Sequence, residues 1–214
     1  MTPEVQLQQI LHDSLQLMQL SVGSVQQGAL LEYLQLLGRW NQAYNLSAVR
    51  EPRQMLDRHL LDSLSVMPFI DTNRIIDVGS GGGLPGIPLA IVYPHKQFTL
   101  LDSNGKKTRF LFQVKTQLQL DNVEVVQSRV EQFQPDPLFD AVISRAFASL
   151  EDMTGCCRHL LRPGGRFYAM KGQFPEDELS KLQKHYKVAA IHPLEIPREI
   201  GQRHLLVLTG DPYP

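Results

Sequence analysis

Long apolar stretches are missing from this chain: no run among its 214 residues approaches the ~20 needed to cross a bilayer, so no membrane partner is expected. An excess of charge is missing too. Lys and Arg number 21, Asp and Glu 22, and the formal net charge is −1. A protein that grips long nucleic acid by bulk charge is usually more basic, so any RNA contact must come from a local patch. Cysteine is scarce. Cys156 and Cys157 are the two present, and sequence neighbours rarely bridge because the geometry is strained. A reducing, cytoplasmic setting and a packing role for both are expected. The seven histidines show no metal-ligand spacing, so no metal site is expected. The first residues carry Glu4 and Asp13 but no early basic cluster, and do not read as a signal peptide. Repeats and low-complexity tracts are also lacking.

The composition, 43% hydrophobic and 20% charged, suits a globular fold with a full core. Up to about residue 70 the apolar spacing is helical. Leu7, Ile10, Leu11, Leu15 and Met18 keep one face, and Ser21 to Ser24 breaks it. Leu30, Leu34, Leu37, Asn41 and Tyr44 mark a second helix, and a third runs from about Pro52 through Met67. The style then changes. Short β-branched or aromatic runs at 74–78, 98–101, 123–126, 139–143 and 166–170 alternate with helix-length segments near 86–93, 104–120 and 149–161. Such alternation predicts a parallel sheet covered on both faces. The tail offers two runs, Val188 to Ile196 and His204 to Leu208, with no normal helix between them, which predicts an antiparallel edge pair. The expectation is an α/β, Rossmann-like doubly wound sheet at 71–214 with an N-terminal helical extension at 1–70.

The segment from Asp77 to Gly86 reads Asp-Val-Gly-Ser-Gly-Gly-Gly-Leu-Pro-Gly, between a predicted strand and a predicted helix. Glycines there allow a tight turn and close approach of a ligand to backbone. Gly81, Gly83 and Gly86 satisfy the dinucleotide spacing, so a nicotinamide-dependent oxidoreductase is one reading. Asp102, ending the next strand, can accept both ribose hydroxyls of a nucleoside. Asp77, two residues before the first glycine, favours S-adenosylmethionine: a carboxylate complements a sulfonium and an ammonium and repels a pyrophosphate. Asp-x-Gly-x-Gly-x-Gly is the pattern of class I methyltransferases.

Read in full, the chain resembles the bacterial 16S ribosomal RNA guanine-N7 methyltransferases, also called glucose-inhibited division protein B. The resemblance rests on Asn41 to Ser47, His59 to Leu64, Asp77 to Ala90, Leu101-Asp102-Ser103, Ser128 to Glu131, Ser144-Arg145-Ala146, Lys171-Gly172 and Arg203-His204. It covers nearly the whole chain in order. It implies a class I methyltransferase fold with a helical addition, S-adenosylmethionine as cofactor, and transfer to N7 of guanine 527 in 16S ribosomal RNA. It further implies that Gly79, Leu84, Val130, Glu131 and Arg145 contact the cofactor. Gly82 stands where relatives of this kind can carry proline.

Other residues have two readings each. Glu131 is either near the adenine or a helix-start acid. Arg145, past a strand end, meets a cofactor carboxylate or RNA phosphate, or forms a surface ion pair; a positioning role suits it, since no general base is expected. Arg129, Lys171 and Arg203 fall at strand ends and are RNA candidates, while Lys106, Lys107 and Arg109 are a phosphate site or a solvated basic face. His59 and Asp62, three apart, are expected to form a hydrogen-bonded structural pair. Phe147 is a candidate stacking platform for a base. The expected partner is 16S ribosomal RNA or the small ribosomal subunit, met by a monomer. A non-catalytic RNA-binding assembly factor remains a further alternative.

Overall fold

A computed structural model describes residues 3–182, 186–199 and 201–210. Helices α1 (Pro3–Leu17) and α2 (Ser24–Tyr44) open the chain. Next come α3 (Pro52–Met55), a π-helical stretch (Leu56–Leu61) and α4 (Asp62–Leu64), a single rod in three parts. The alternating region follows: β1 (Arg74–Val78), α5 (Gly86–Val92), β2 (Gln97–Asp102), α6 (Gly105–Gln117), β3 (Val123–Gln127) and β4 (Phe139–Ser144). It continues with α7 (Leu150–Cys157), β5 (Leu161–Lys171), α8 (Glu176–Lys181), β6 (Tyr186–Pro193) and β7 (His204–Gly210).

The seven strands lie in the order β3-β2-β1-β4-β5-β7-β6. β1 to β5 are mutually parallel, and β7 pairs antiparallel with both β5 and β6. The chain winds outward from β1 to β3, then returns to place β4 beside β1. That reversal opens a crevice at the carboxyl edge between β1 and β4, where ligands of open α/β sheets bind. The expected antiparallel edge pair is present, with its outer strand ending at Pro193 rather than Ile196.

Strand alternation divides the core. Ile75, Phe98, Leu100 and Ala141 face one cluster with Leu11, Leu30, Leu37, Leu60, Ile87 and Phe110. Ile76, Val78, Leu101 and Val142 face the other with Met153, Cys157 and Phe167. The first cluster is continuous from α1 and α2 to the sheet: α2 buries its apolar stripe against α5 and α6, and α1 packs on α2 and the π stretch.

Two local expectations are corrected, and one helix has no expectation to meet. On α2 the buried aromatic is Tyr33, with no exposure, whereas Tyr44 is 42% exposed. The third helix is interrupted by the π stretch, in which the Asp62 N–H reaches back to Asp57 O. And α8, six residues of mostly polar sequence, has no apolar period to announce it.

Candidate active site

The loop after β1 is shaped by glycines in the left-handed region. Gly79, Gly81 and Gly83 have φ of +71°, +58° and +87°, where a side chain is strained. The Gly79 and Ser80 N–H groups donate to Leu101 O at 2.9 and 3.1 Å, tying the loop to the end of β2. The glycines then separate by duty. A Cβ on Gly83 would lie 2.6 Å from Ile87 Cγ1, and one on Gly86 2.2 Å from Leu100 Cδ2, so these two exist for packing. Gly79 is exposed and Gly81 half-buried, which leaves them facing the crevice. Leu84 is buried in the core and offers a ligand only its backbone. Behind the loop, Tyr33 donates its hydroxyl to Gly82 O at 2.7 Å.

Two buried carboxylates flank this turn. Asp77, 1% exposed, accepts the Gly86 N–H on Oδ2 at 2.8 Å, while Oδ1 is buried without a hydrogen bond. Burial pushes its pKa up to about 7; the Gly86 bond and Arg145 act against this, and Asp102 adds to it. Asp77 therefore lies beneath the loop and acts on a ligand through its field. Asp102 accepts the Gly81 N–H on Oδ2 and the Asn104 N–H on Oδ1, both at 2.9 Å, with Lys107 Nζ 3.5 Å away. It shapes the loop and retains lone pairs for an outside donor. An unpartnered buried carboxyl oxygen that a bound cation would hold ionised, a second acid and open glycines suit a cationic nucleoside, so the residues fit S-adenosylmethionine.

The other expected contacts scatter along the same edge. Val130 and Glu131 open a short 3-10 turn after β3; Glu131 is exposed, and Val130 O lies 3.1 Å from His159 Nε2. Arg145, just past β4, donates from Nη1 to Asp62 Oδ2 at 2.9 Å. Lys171, 11% exposed, is held by Glu178 at 2.9 Å and by the carbonyls of Phe147 and Ala148. Arg203 faces Asp62 at 3.3 Å and Glu199 at 3.8 Å. Arg129, Lys106 and Arg109 are exposed, and none has an acidic partner among the described residues. The structure thus places three basic groups free at the surface and three inside ion pairs. Cys157 is buried in α7, where desolvation raises its thiol pKa far above the usual range. Among the described residues no group of three or more His, Cys, Asp or Glu is placed to hold a metal ion.

His59 and Asp62 do not form the expected pair. His59 Nε2 lies 2.6 Å from Ser47 Oγ, and Asp62 turns to Arg145 and Arg203. The π stretch explains this, because its wider turn takes positions three apart off a common face. Burial, then the Arg145 charge, lowers the His59 pKa to about 4. Sequence patterns also miss Ser144, whose hydroxyl donates to Val78 O at 2.7 Å and accepts the Ala146 N–H, stitching β4 to β1 at the crevice. Nothing in the sequence marks Tyr33 as buried or as a loop contact.

Comparison with known proteins places this geometry. The sequence profile described as rRNA small subunit methyltransferase G matches residues 26–206. The chain is 54% identical over 192 residues to "Ribosomal RNA small subunit methyltransferase G" of Shigella flexneri, covering 90% of this chain and 93% of that protein. A protein of the same name from Stutzerimonas stutzeri is 58% identical over 185 residues, 86% of each chain. Among solved structures, the S-adenosylmethionine-dependent methyltransferase SibL superposes with a TM-score of 0.57 at 14% identity, over 80% of this chain and 62% of that one. YjhP from E. coli does so with 0.55 at 10% identity, over 82% and 99%. At such identities these two speak for the fold alone, the class I methyltransferase fold.

Proposed function

The chain belongs to the rRNA small subunit methyltransferase G family, and from that premise we propose that it transfers a methyl group from S-adenosylmethionine to N7 of guanine 527 in 16S ribosomal RNA. The observation that carries the cofactor assignment is the pair Asp77 and Asp102 around a loop whose exposed positions are glycine. A dinucleotide pyrophosphate would meet two buried carboxylates there, which disfavours the nicotinamide reading. Asp102 takes the ribose hydroxyls, Gly79 and Gly81 admit the ligand to the backbone, and Asp77, which the bound cation draws to its ionised form, supplies the opposing charge. Gly83 and Leu84 hold the loop's shape, and Val130 and Glu131 flank the adenine. The bound cofactor supplies an electrophilic methyl group on a sulfonium.

Guanine N7 carries an in-plane lone pair and needs no base to become nucleophilic. The chain's task is therefore to orient the base and exclude water. Arg145, fixed by Asp62 at the end of β4, is the positioning group. Arg129, Lys106 and Arg109 contact phosphates; Lys171 and Arg203, already ion-paired, organise the wall of the site. The substrate is 16S ribosomal RNA or the small subunit, the protein acts in the cytoplasm as a monomer, and the boundary between helical extension and methyltransferase domain falls near residue 70.

The test is methyl transfer from labelled cofactor to small-subunit RNA carrying guanine or 7-deazaguanine at the acceptor. Transfer to guanine alone is expected, because carbon replaces the nucleophilic nitrogen in the analogue. Equal transfer to both would place the acceptor on another atom.

A further inference from the structure

A cavity of about 210 Å³ lies at the carboxyl edge beyond Arg145, between the π-helical rod and the ends of β5 and β7. Asp62, Arg145 and Arg203 form one wall, and Met170 and Leu194 add apolar surface. Its size is below the roughly 300–1,000 Å³ of pockets for drug-sized ligands, which suits a single flat group rather than a whole nucleotide.

The unused hydrogen-bonding capacity in this wall is of one kind. Asp62 is 6% exposed. Its Oδ2 accepts from Arg145, and its Oδ1 is buried without an aligned hydrogen bond, Arg203 Nε standing 3.3 Å away as an ion pair. A carboxylate has about four lone-pair sites and the two arginines engage one on each oxygen, so acceptor capacity remains on a group largely withdrawn from water. An RNA phosphate complements this wall less well: it brings only acceptors to face the Asp62 carboxylate, and two of the neighbouring cations, Lys171 and Arg203, are already committed. Lys171 is held by Glu178 and two carbonyls, and Arg203 by Asp62 and Glu199. What fits is a flat group with two adjacent N–H donors. Among the RNA bases guanine alone offers that, N1–H beside the N2 amino group. Arg145 uses only Nη1 among the described residues, so it keeps donors for a neighbouring carbonyl such as guanine O6.

We propose that this cavity receives the acceptor base and that the Asp62 carboxylate reads the N1–H and N2–H edge of a guanine. N7 lies across the ring from that edge, so the base is held by the side that does not react. The inference rests on the methyltransferase reading and adds to it a residue that selects the base. Bases withdrawn from a stack are recognised in this way, through their Watson–Crick edge.

The experiment is a cycle between protein and base. Small-subunit RNA, free and reconstituted into unmethylated subunits, carries guanosine or inosine at the acceptor. Inosine keeps N7, O6 and N1–H and lacks only the amino group. For the native protein kcat/KM should fall about 10- to 100-fold with inosine, the worth of one hydrogen bond to a charged group. For Asp62→Asn, activity on guanosine should fall and the guanosine-to-inosine ratio should collapse to within about 3-fold, because the group that sensed the amino is gone. If Asp62 serves only to hold Arg145, the ratio stays as in the native protein, and the proposal is overturned. Equal rates on the two bases with the native protein overturn it as well, which keeps the test decisive should Asp62→Asn not fold. Absence of transfer to guanosine in either form of substrate overturns the underlying methyltransferase reading, and this assignment with it.

Discussion

The hydroxyl of Tyr33 donates to the carbonyl oxygen of Gly82 at 2.7 Å, joining the second helix to the glycine loop across 49 positions of sequence. Tyr33 is fully buried, and Leu37, one turn on, would stand 3.1 Å from a Cβ placed on Gly82. The helical extension therefore forms the back wall of the loop. Replacing Tyr33 by Phe strips a buried carbonyl of its donor, at a cost of about 1–3 kcal/mol. Urea unfolding should register that loss, and calorimetry should show S-adenosylhomocysteine binding several-fold more weakly. Unchanged affinity in a destabilised variant would mean that the loop keeps its shape without the helix.

Asp102→Ala is expected to weaken S-adenosylmethionine binding by about 1.5–3 kcal/mol through lost charged hydrogen bonds. From sequence alone the substitution is expected to leave stability nearly intact. The structure changes that expectation, because the same carboxylate accepts the N–H groups of Gly81 and Asn104. A measurable drop in melting temperature should accompany the loss of affinity. Normal affinity in the folded variant would remove Asp102 from the cofactor site.

Asp77 and His59 pull stability in opposite directions with pH. Burial raises Asp77 from 3.8 to about 7, so the folded chain holds a proton that the unfolded chain has released; this contribution is lost as pH rises from about 4 to 7. Burial and Arg145 lower His59 from 6.5 to about 4, so the unfolded chain takes up the extra proton; this contribution is lost as pH falls from 6.5 to about 4. Each slope approaches 1.4 kcal/mol per pH unit, and between about pH 4 and 6.5 they offset. Relative to the native protein, Asp77→Asn should gain stability as pH rises through that window, and His59→Gln should lose it. Urea midpoints at pH 5 and 6.5 decide the matter; parallel behaviour of all three proteins would show that neither group titrates as assigned.

Salt dependence should sort the basic residues. Neutralising Arg129, Lys106 or Arg109 is expected to flatten the slope of log affinity for RNA against log salt by about 0.7–0.9 each. Neutralising Lys171 should leave the slope alone and lower stability, since Glu178 loses its partner. Filter binding between 50 and 200 mM salt would reveal the pattern, and a Lys171 variant with the flattened slope would return that residue to the RNA surface.

The strands from Arg74 to Lys171 and the loop at Asp77 are legible in the sequence because local rules write them: β-branched runs closed by glycine, and an acid at the end of the following strand. The free basic residues are legible as types but not as free, since Arg129 and Lys171 look alike until Glu178 is folded beside one of them. Arg145, Asp62 and Arg203 are drawn from three separate elements, so their meeting is set by topology and no local spacing encodes it. Tyr33 reveals only that its face is apolar. The failed pairing of His59 with Asp62 has a single cause, the assumption of 3.6 residues per turn where the chain adopts a wider one.

The wider turn at Leu56–Leu61 makes the place where the rod loses a residue matter as much as its composition. In an α-helix each residue added or removed swings everything downstream by about 100°. Loss of one codon from the α-helical turn before this stretch would carry Asp62 round the rod and away from Arg145, whereas loss of one codon from the wide turn itself, with relaxation to α-helical geometry, leaves Asp62 on nearly the same face, because the wider turn holds the extra residue. Exchange of one aliphatic residue for another in the stretch would be felt only as repacking. The same in-frame deletion is therefore absorbed, or strips the arginine at the crevice of its anchor, according to which turn of the rod loses the residue.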